Sequence, residues 1–176
     1  MSLTQAELNS IVSAAHTRWE ATGLSAEQMA VLRSDTFDVL NLSGPYLGEA
    51  AGNHIVIDSD AAAFGWFVDN TPQDDSEFSN AVSATRLYTT PADLPAGHID
   101  LLTTVMHEMG HTLGLNDSYA TTDRDSMMYG NPTSLCGGCF DEIPNSAFLL
   151  ARWSGVPGNG RQLAGVARCG CDRDQR

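Results

Sequence analysis

Apolar residues recur at helical spacing early in the chain and again past its middle, with strand-like runs between. Leu8, Ile11, Val12, Ala15 and Trp19 share one helix face, behind a T-x-x-E capping box made by Thr4 and Glu7. This predicts an amphipathic helix over residues 5–21. Ser25 and Gln28 repeat the cap signal for a shorter helix reaching about Leu32. Thr36–Leu42, the β-branched Asn53–Asp58 and Gly65–Asp69 then predict strands. Residues 70–80 are polar, hold Pro72 and three acids, and predict a loop; Val82–Thr89 predicts a last strand before a Pro/Ala/Gly connection over Pro91–Gly97. From about Ile99 to Leu113 the helical period returns. Leu102, Val105, Met106, Met109 and Leu113 form a stripe roughly opposite His107 and His111, at about 100° per residue. One more helix is predicted near Asn145–Trp153, and the tail from Ser154 reads as Gly-rich and irregular.

With 176 residues and 42% hydrophobic content, the chain suffices for one domain with its own core. Its charge narrows the partners. Twenty-two Asp and Glu stand against nine basic residues, all arginine, for a net charge of -13. Such a balance argues against nucleic acid and anionic membrane as partners. No run approaches the ~18 apolar residues of a membrane span. The first twenty residues lack the basic-then-apolar order of a signal peptide.

The chemistry concentrates in His107-Glu108-Met109-Gly110-His111-Thr112-Leu113-Gly114-Leu115-Asn116-Asp117, the pattern H-E-x-x-H-x-x-G-x-x-D. Residues four apart project from one helix face about 40° apart, so His107 and His111 can share one metal ion. On a continuous helix Asp117 would lie ~15 Å along the axis from His107, far beyond a ligand bond of roughly 2 Å. A third ligand there requires the chain to stop and turn back. Gly114 is the residue type that does so at least cost, because a left-handed helix ending carries no side-chain penalty for glycine. Three protein ligands leave an open position, as in catalytic zinc sites; structural sites are closed by four. Glu108, beside the first ligand, can take the proton of a zinc-bound water as general base and pass it to a leaving amine. His98, just before the helix, is the alternative third ligand; His16 and His54 stand isolated.

On this motif, and on Asp125-Ser126-Met127-Met128-Tyr129-Gly130 downstream of it, the chain resembles the metzincin zinc endopeptidases. The second segment is similar to the family's Met-turn and matches it best with Met128 in the turn, Met127 being the other register. The nearest subgroup is the bacterial matrixin-like domains. That resemblance implies an α+β zincin fold: a mixed twisted sheet, an N-terminal helix, an active-site helix and a small C-terminal lower subdomain. The catalytic domain would span residues 1–153, its upper portion covering residues 1–114 and its lower portion residues 115–153, followed by the Cys-containing tail 154–176. It implies a catalytic zinc on His107, His111 and Asp117, with Phe64–Val68 as the edge strand that pairs with a substrate backbone. A secreted monomer acting on peptide or protein substrates would follow. The third ligand departs from the histidine most of that family uses. Asp74, Asp75 and Glu77 echo a matrixin calcium loop without its glycines, leaving calcium and a solvated acidic loop both open.

The four cysteines are C-terminal. Cys136 and Cys139 form a CxxC, Cys169 and Cys171 a CxC; together they suit a second, structural zinc or two disulfides. Arg168-Cys169-Gly170 resembles the R-C-G core of the matrixin inhibitory segment. In the family, however, that segment precedes the catalytic domain and carries an aspartate where this chain has Arg173. The sequence therefore predicts a zinc-dependent metalloendopeptidase. A zinc-stabilised protein-binding module and a zinc hydrolase of a non-protein substrate are the alternatives.

Overall fold

A computed structural model describes residues 2–83, 86–123, 125–130, 147–148 and 166–168. It is a mixed α+β arrangement in which helices pack on a small mixed sheet. Helix α1 (Gln5–Ala21) starts at Thr4, whose hydroxyl accepts from the Glu7 N–H while the Glu7 carboxylate accepts from the Thr4 N–H. Helix α2 (Ala26–Arg33) has the same reciprocal cap from Ser25 and Gln28. Each cap satisfies backbone donors that the first helical turn leaves open.

Strands β1 (Thr36–Leu40), β2 (Tyr46–Ala51) and β3 (His54–Asp58) form the main sheet. Strand β1 runs parallel to β3, from Thr36 opposite His54 to Leu40 opposite Asp58; β2 runs antiparallel to β3. Gly52, at φ +66, opens the two-residue turn joining β2 and β3. Strand β4 (Trp66–Phe67) pairs parallel with β7 (Ile99–Asp100), and β5 (Asn80–Ser83) forms a hairpin with β6 (Arg86–Tyr88). Ala147–Phe148 (β8) adds to β6, and Val166–Arg168 (β9) adds to β2. The order of the main sheet among the described residues is β1-β3-β2-β9.

Helix α3 (Leu101–Thr112) carries the motif, with the buried Asp100 accepting from the Thr103 N–H as its cap. The core lies between α1, α2, α3 and the sheet, where Leu8, Ile11, Leu32, Ile55, Ile57 and Val105 are all fully buried. Every residue from Leu101 to Gly110 is buried, so the ligand-bearing face of α3 is covered as well as its apolar stripe. No helix among the described residues is long and apolar enough to cross a membrane.

Four expectations change. Val82–Thr89, expected as one last strand, is divided between β5 and β6, which pair antiparallel, and further strands follow. Strand β2 was not anticipated, because Gly48 and two alanines give Tyr46–Ala51 weak strand propensity, and the turn-prone Ser43-Gly44-Pro45 precedes it. Ala147–Phe148 form a strand where a helix over Asn145–Trp153 was expected, the rest of that span lying outside the described residues. The tail is not irregular throughout, since Val166–Arg168 join the main sheet.

Candidate metal centre

The centre is built by how α3 ends. Gly114 sits at φ +83, the Gly114 N–H donates to the His111 carbonyl at 2.9 Å and the Leu115 N–H to the Gly110 carbonyl at 3.0 Å. This is the Schellman pattern, which satisfies the last carbonyls and turns the chain back. Leu115 then packs into the core, and its Cδ1 lies near Gly110. The reversed chain is fixed by a second segment. The Ser118 N–H donates to the Met128 carbonyl at 2.7 Å, and the Gly130 N–H to the Ser118 carbonyl at 2.9 Å.

The reversal carries Asp117 to the two imidazoles. Asp117 Oδ1 lies 3.0 Å from His107 Nε2 and 3.5 Å from His111 Nε2. The three donor atoms all lie within 4.8 Å of one another, the sole group of three or more such donors this close among the described residues. Ligand atoms at the corners of a zinc tetrahedron are separated by about 3.3 Å, so the set is of the right size. Although close, these atoms fail the angular geometry of hydrogen bonds and are buried without such a partner. They aim at a shared space.

The opposite ring nitrogens explain why. His107 Nδ1 is 2.9 Å from the Met127 carbonyl and His111 Nδ1 is 2.9 Å from the Leu115 carbonyl. A carbonyl only accepts, so each Nδ1 carries the proton and each Nε2 presents a lone pair to the centre. The rings meet edge to face at 87°. Burial pulls the His107 pKa down, but its contact with Asp117, the charges of Glu108 and Asp117 and the Met127 carbonyl together push it above the ordinary value. Burial, with the charge of His107, holds His111 below it. Burial raises Asp117, yet the two histidines outweigh this and leave it lower than usual. Tyr119 adds a hydroxyl donated to Asp117 Oδ2 at 3.1 Å.

Glu108 is fully buried beside His107. A Cβ built on Gly48 of β2 would stand 2.8 Å from Glu108 Cγ and 2.9 Å from its Oε1. Only a glycine lets β2 lie so close against that carboxylate. Gly110 similarly makes room for Met128, whose sulfur a Cβ there would strike; Met128 is buried beneath the helix. Sequence reasoning singled out His107, His111 and Asp117, which the structure brings together, with Glu108 and the Met128 segment, but missed Gly48 and the Nδ1 anchors. The Gly52-Asn53 turn signal could have revealed β2. The backbone anchors leave no side-chain signature.

The remaining candidates fall elsewhere. His98 is exposed beside Gly65, outside the donor group. His54 pairs with Asp38 at the surface, and His16 is half-buried on α1. Phe64–Val68 contributes the short β4, paired to β7, and the strand that lies against Glu108 is β2. Asp74, Asp75 and Glu77 have separate partners. Asp75 meets Arg18 at 2.6 Å, Asp74 accepts from Ser76, and Glu77 accepts from the Thr71 hydroxyl. Arg18, 8% exposed, also donates to the carbonyls of Pro72 and Asp74, so a cation of the chain itself holds the acidic loop. Cys136, Cys139, Cys169 and Cys171 lie outside the described residues. Compared with known proteins, the chain matches no family, no curated protein and no solved structure.

Proposed function

We propose that this chain is a zinc-dependent metalloendopeptidase of the metzincin kind, with His107, His111 and Asp117 as ligands and Glu108 as general base. One observation carries the reading: two imidazole nitrogens and a carboxylate oxygen converge within 4.8 Å beside a fully buried glutamate. The donor set suits zinc, and three ligands leave a position for chemistry. Zinc held there supplies a Lewis acid that polarises a carbonyl and acidifies water.

The chain's own groups do the rest. Glu108 takes a proton from the attacking water onto a carboxylate oxygen and holds it until the amide nitrogen departs as an amine. The carbonyls of Met127 and Leu115 fix both imidazole rings through Nδ1, so their Nε2 atoms stay aimed. Gly48 brings the β2 backbone against Glu108, and an extended peptide lying along β2 presents its carbonyls beside that carboxylate. The side of β2 away from β3, where the three-residue β9 pairs, suits a polypeptide over other hydrolysable substrates.

The test compares wild type with Glu108→Gln for zinc content and for cleavage of a peptide library. Wild type is expected to bind one zinc and cleave, and the variant to keep the zinc but lose on the order of 10²–10⁴ in turnover. Turnover retained in Glu108→Gln removes the glutamate from its role. Zinc binding without cleavage of any peptide shifts the reading to a zinc-stabilised binding module.

A further inference from the structure

Strand β9 lies in the place where the proposed substrate would pair. Val166–Arg168 runs antiparallel to β2, with Tyr46 opposite Arg168, Gly48 opposite Ala167 and Glu49 opposite Val166. Gly48 is the residue that abuts Glu108, so the centre of this short ladder sits beside the proposed general base. Helix α3 packs against β2 and touches β9 as well. Without β9, the order β1-β3-β2-β9 leaves β2 as the edge, its outward N–H and C=O groups open to another chain.

We propose that Val166–Arg168 is an intramolecular occupant of the peptide-binding edge, so that the C-terminal segment competes with substrate for β2. This rests on the metalloendopeptidase reading and adds a regulation to the same site. An edge strand accepts one partner at a time; a peptide paired with Gly48 and β9 paired with Gly48 exclude each other. The hold is weak enough to yield. The ladder covers three pairs, and its register slips between Tyr46 and Gly48, so that Leu47 interrupts the pairing. Each backbone hydrogen bond nets little, because it replaces bonds to water. The segment's advantage over a free peptide is its tether, equivalent to a local concentration in the millimolar range. Such an occupant raises the KM for substrates and leaves kcat unchanged, because the occupied form is inert and the vacated form is the full enzyme.

The decisive experiment uses the zinc-loaded full chain, wild type against the double variant Val166→Pro/Ala167→Pro. Adjacent residues of a strand face alternate sides, so one of the two prolines removes an N–H that donates to β2. Two quantities are read: amide exchange across β2, and the kinetics of peptide cleavage. We expect the β2 amides facing β9 to exchange at least about tenfold faster while α1, β1 and α3 keep their protection. We also expect KM to fall several-fold at constant kcat. Adding the free peptide Ala-Gly-Val-Ala-Arg, the sequence of residues 164–168, should then inhibit the variant competitively. Unchanged KM, or β2 exchange unaltered by the prolines, overturns the proposal. So does a variant that no longer unfolds cooperatively, since β9 is then part of the frame. If neither protein cleaves any peptide, the metalloendopeptidase reading falls, and competition for substrate falls with it. Cleavage by both with equal KM removes the competition alone.

Discussion

Two single residues, Asp100 and Gly48, carry consequences that can be measured directly. Asp100 caps α3, accepting from the N–H and hydroxyl of Thr103 while 8% exposed. Burial pushes its carboxyl up to about 6, against the downward pull of those Thr103 bonds, and the charge of Asp69 adds to the rise. Between roughly pH 4, where an unfolded aspartate ionises, and about 6, the folded chain still holds a proton that the unfolded chain has released. Stability therefore falls as pH rises through that window and stays lower above it. Asn accepts the same cap bonds without ionising. Relative to wild type, Asp100→Asn should gain on the order of 1–2 kcal/mol from pH ~4 to pH ~7, measured by urea unfolding at both. A difference that shrinks with rising pH contradicts this account. Gly48 tests position in place of charge. A methyl group there enters the space of Glu108 Cγ and Oε1, so Gly48→Ala should displace the carboxylate while leaving all three ligands untouched. The expected result is full zinc content with kcat reduced about tenfold or more, because an ångström of misplacement costs up to ~10² in rate. Equal loss of zinc and activity would show that β2 supports the ligands instead.

At the scale of an element, the ending of α3 decides whether the three proposed ligands meet. Gly114 holds φ +83, where an alanine costs on the order of 1 kcal/mol. Gly114→Ala should lower the unfolding free energy by about that amount, and should weaken zinc binding more than a surface substitution of equal cost. Competition against a chromophoric chelator measures the second effect; unchanged affinity would mean that Ser118 and its backbone partners alone hold Asp117 in place. This ending was legible in the sequence, as were α1, α2, β1 and β3, because each depends on local chemistry: a capping box, a β-branched run, a glycine past the last helical turn. Strand β2 was not legible. Its residues pack well because Leu47 is buried and Gly48 fits under Glu108, both consequences of tertiary neighbours and not of strand propensity. The convergence of His107 and His111 was readable from spacing, since two histidines four apart define a helix face before any fold is known. The Nδ1 anchors were not, because they are carbonyls of Met127 and Leu115 whose positions only the folded chain determines. The loop around Arg18 shows the same limit. Asp75 pairs with an arginine from α1 that no local pattern connects to it.

Across the whole molecule, the proposed metal ligands come from two segments that also meet through backbone bridges and through the packing of Leu115 and Met128. His107 and His111 belong to the buried helix, Asp117 to the reversed chain, and the reversed chain is bridged in turn to Met128 and Gly130. An ion bound to all three would therefore stabilise mainly the reversed chain from Leu115 to Gly130, whereas α1, α2, α3 and the sheet share the main core. Binding that requires the folded arrangement adds RT ln(1 + [L]/Kd), or about 4 kcal/mol when free zinc is a thousand times Kd. For a chain of this size that corresponds to a Tm rise on the order of 10 °C. Chelation should reverse the rise and speed amide exchange over residues 115–130 while the protection of α1 persists. Asp117→Ala separates the metal's contribution from that of the fold. It keeps both histidines and the Gly114 turn, so its Tm without zinc should lie near that of the zinc-free wild type. Its response to zinc should nevertheless shrink by most of the 10 °C order of shift, because two imidazoles alone hold the ion weakly. A zinc response equal to wild type would mean that Asp117 contributes nothing to holding the ion, whatever its distance from the two rings.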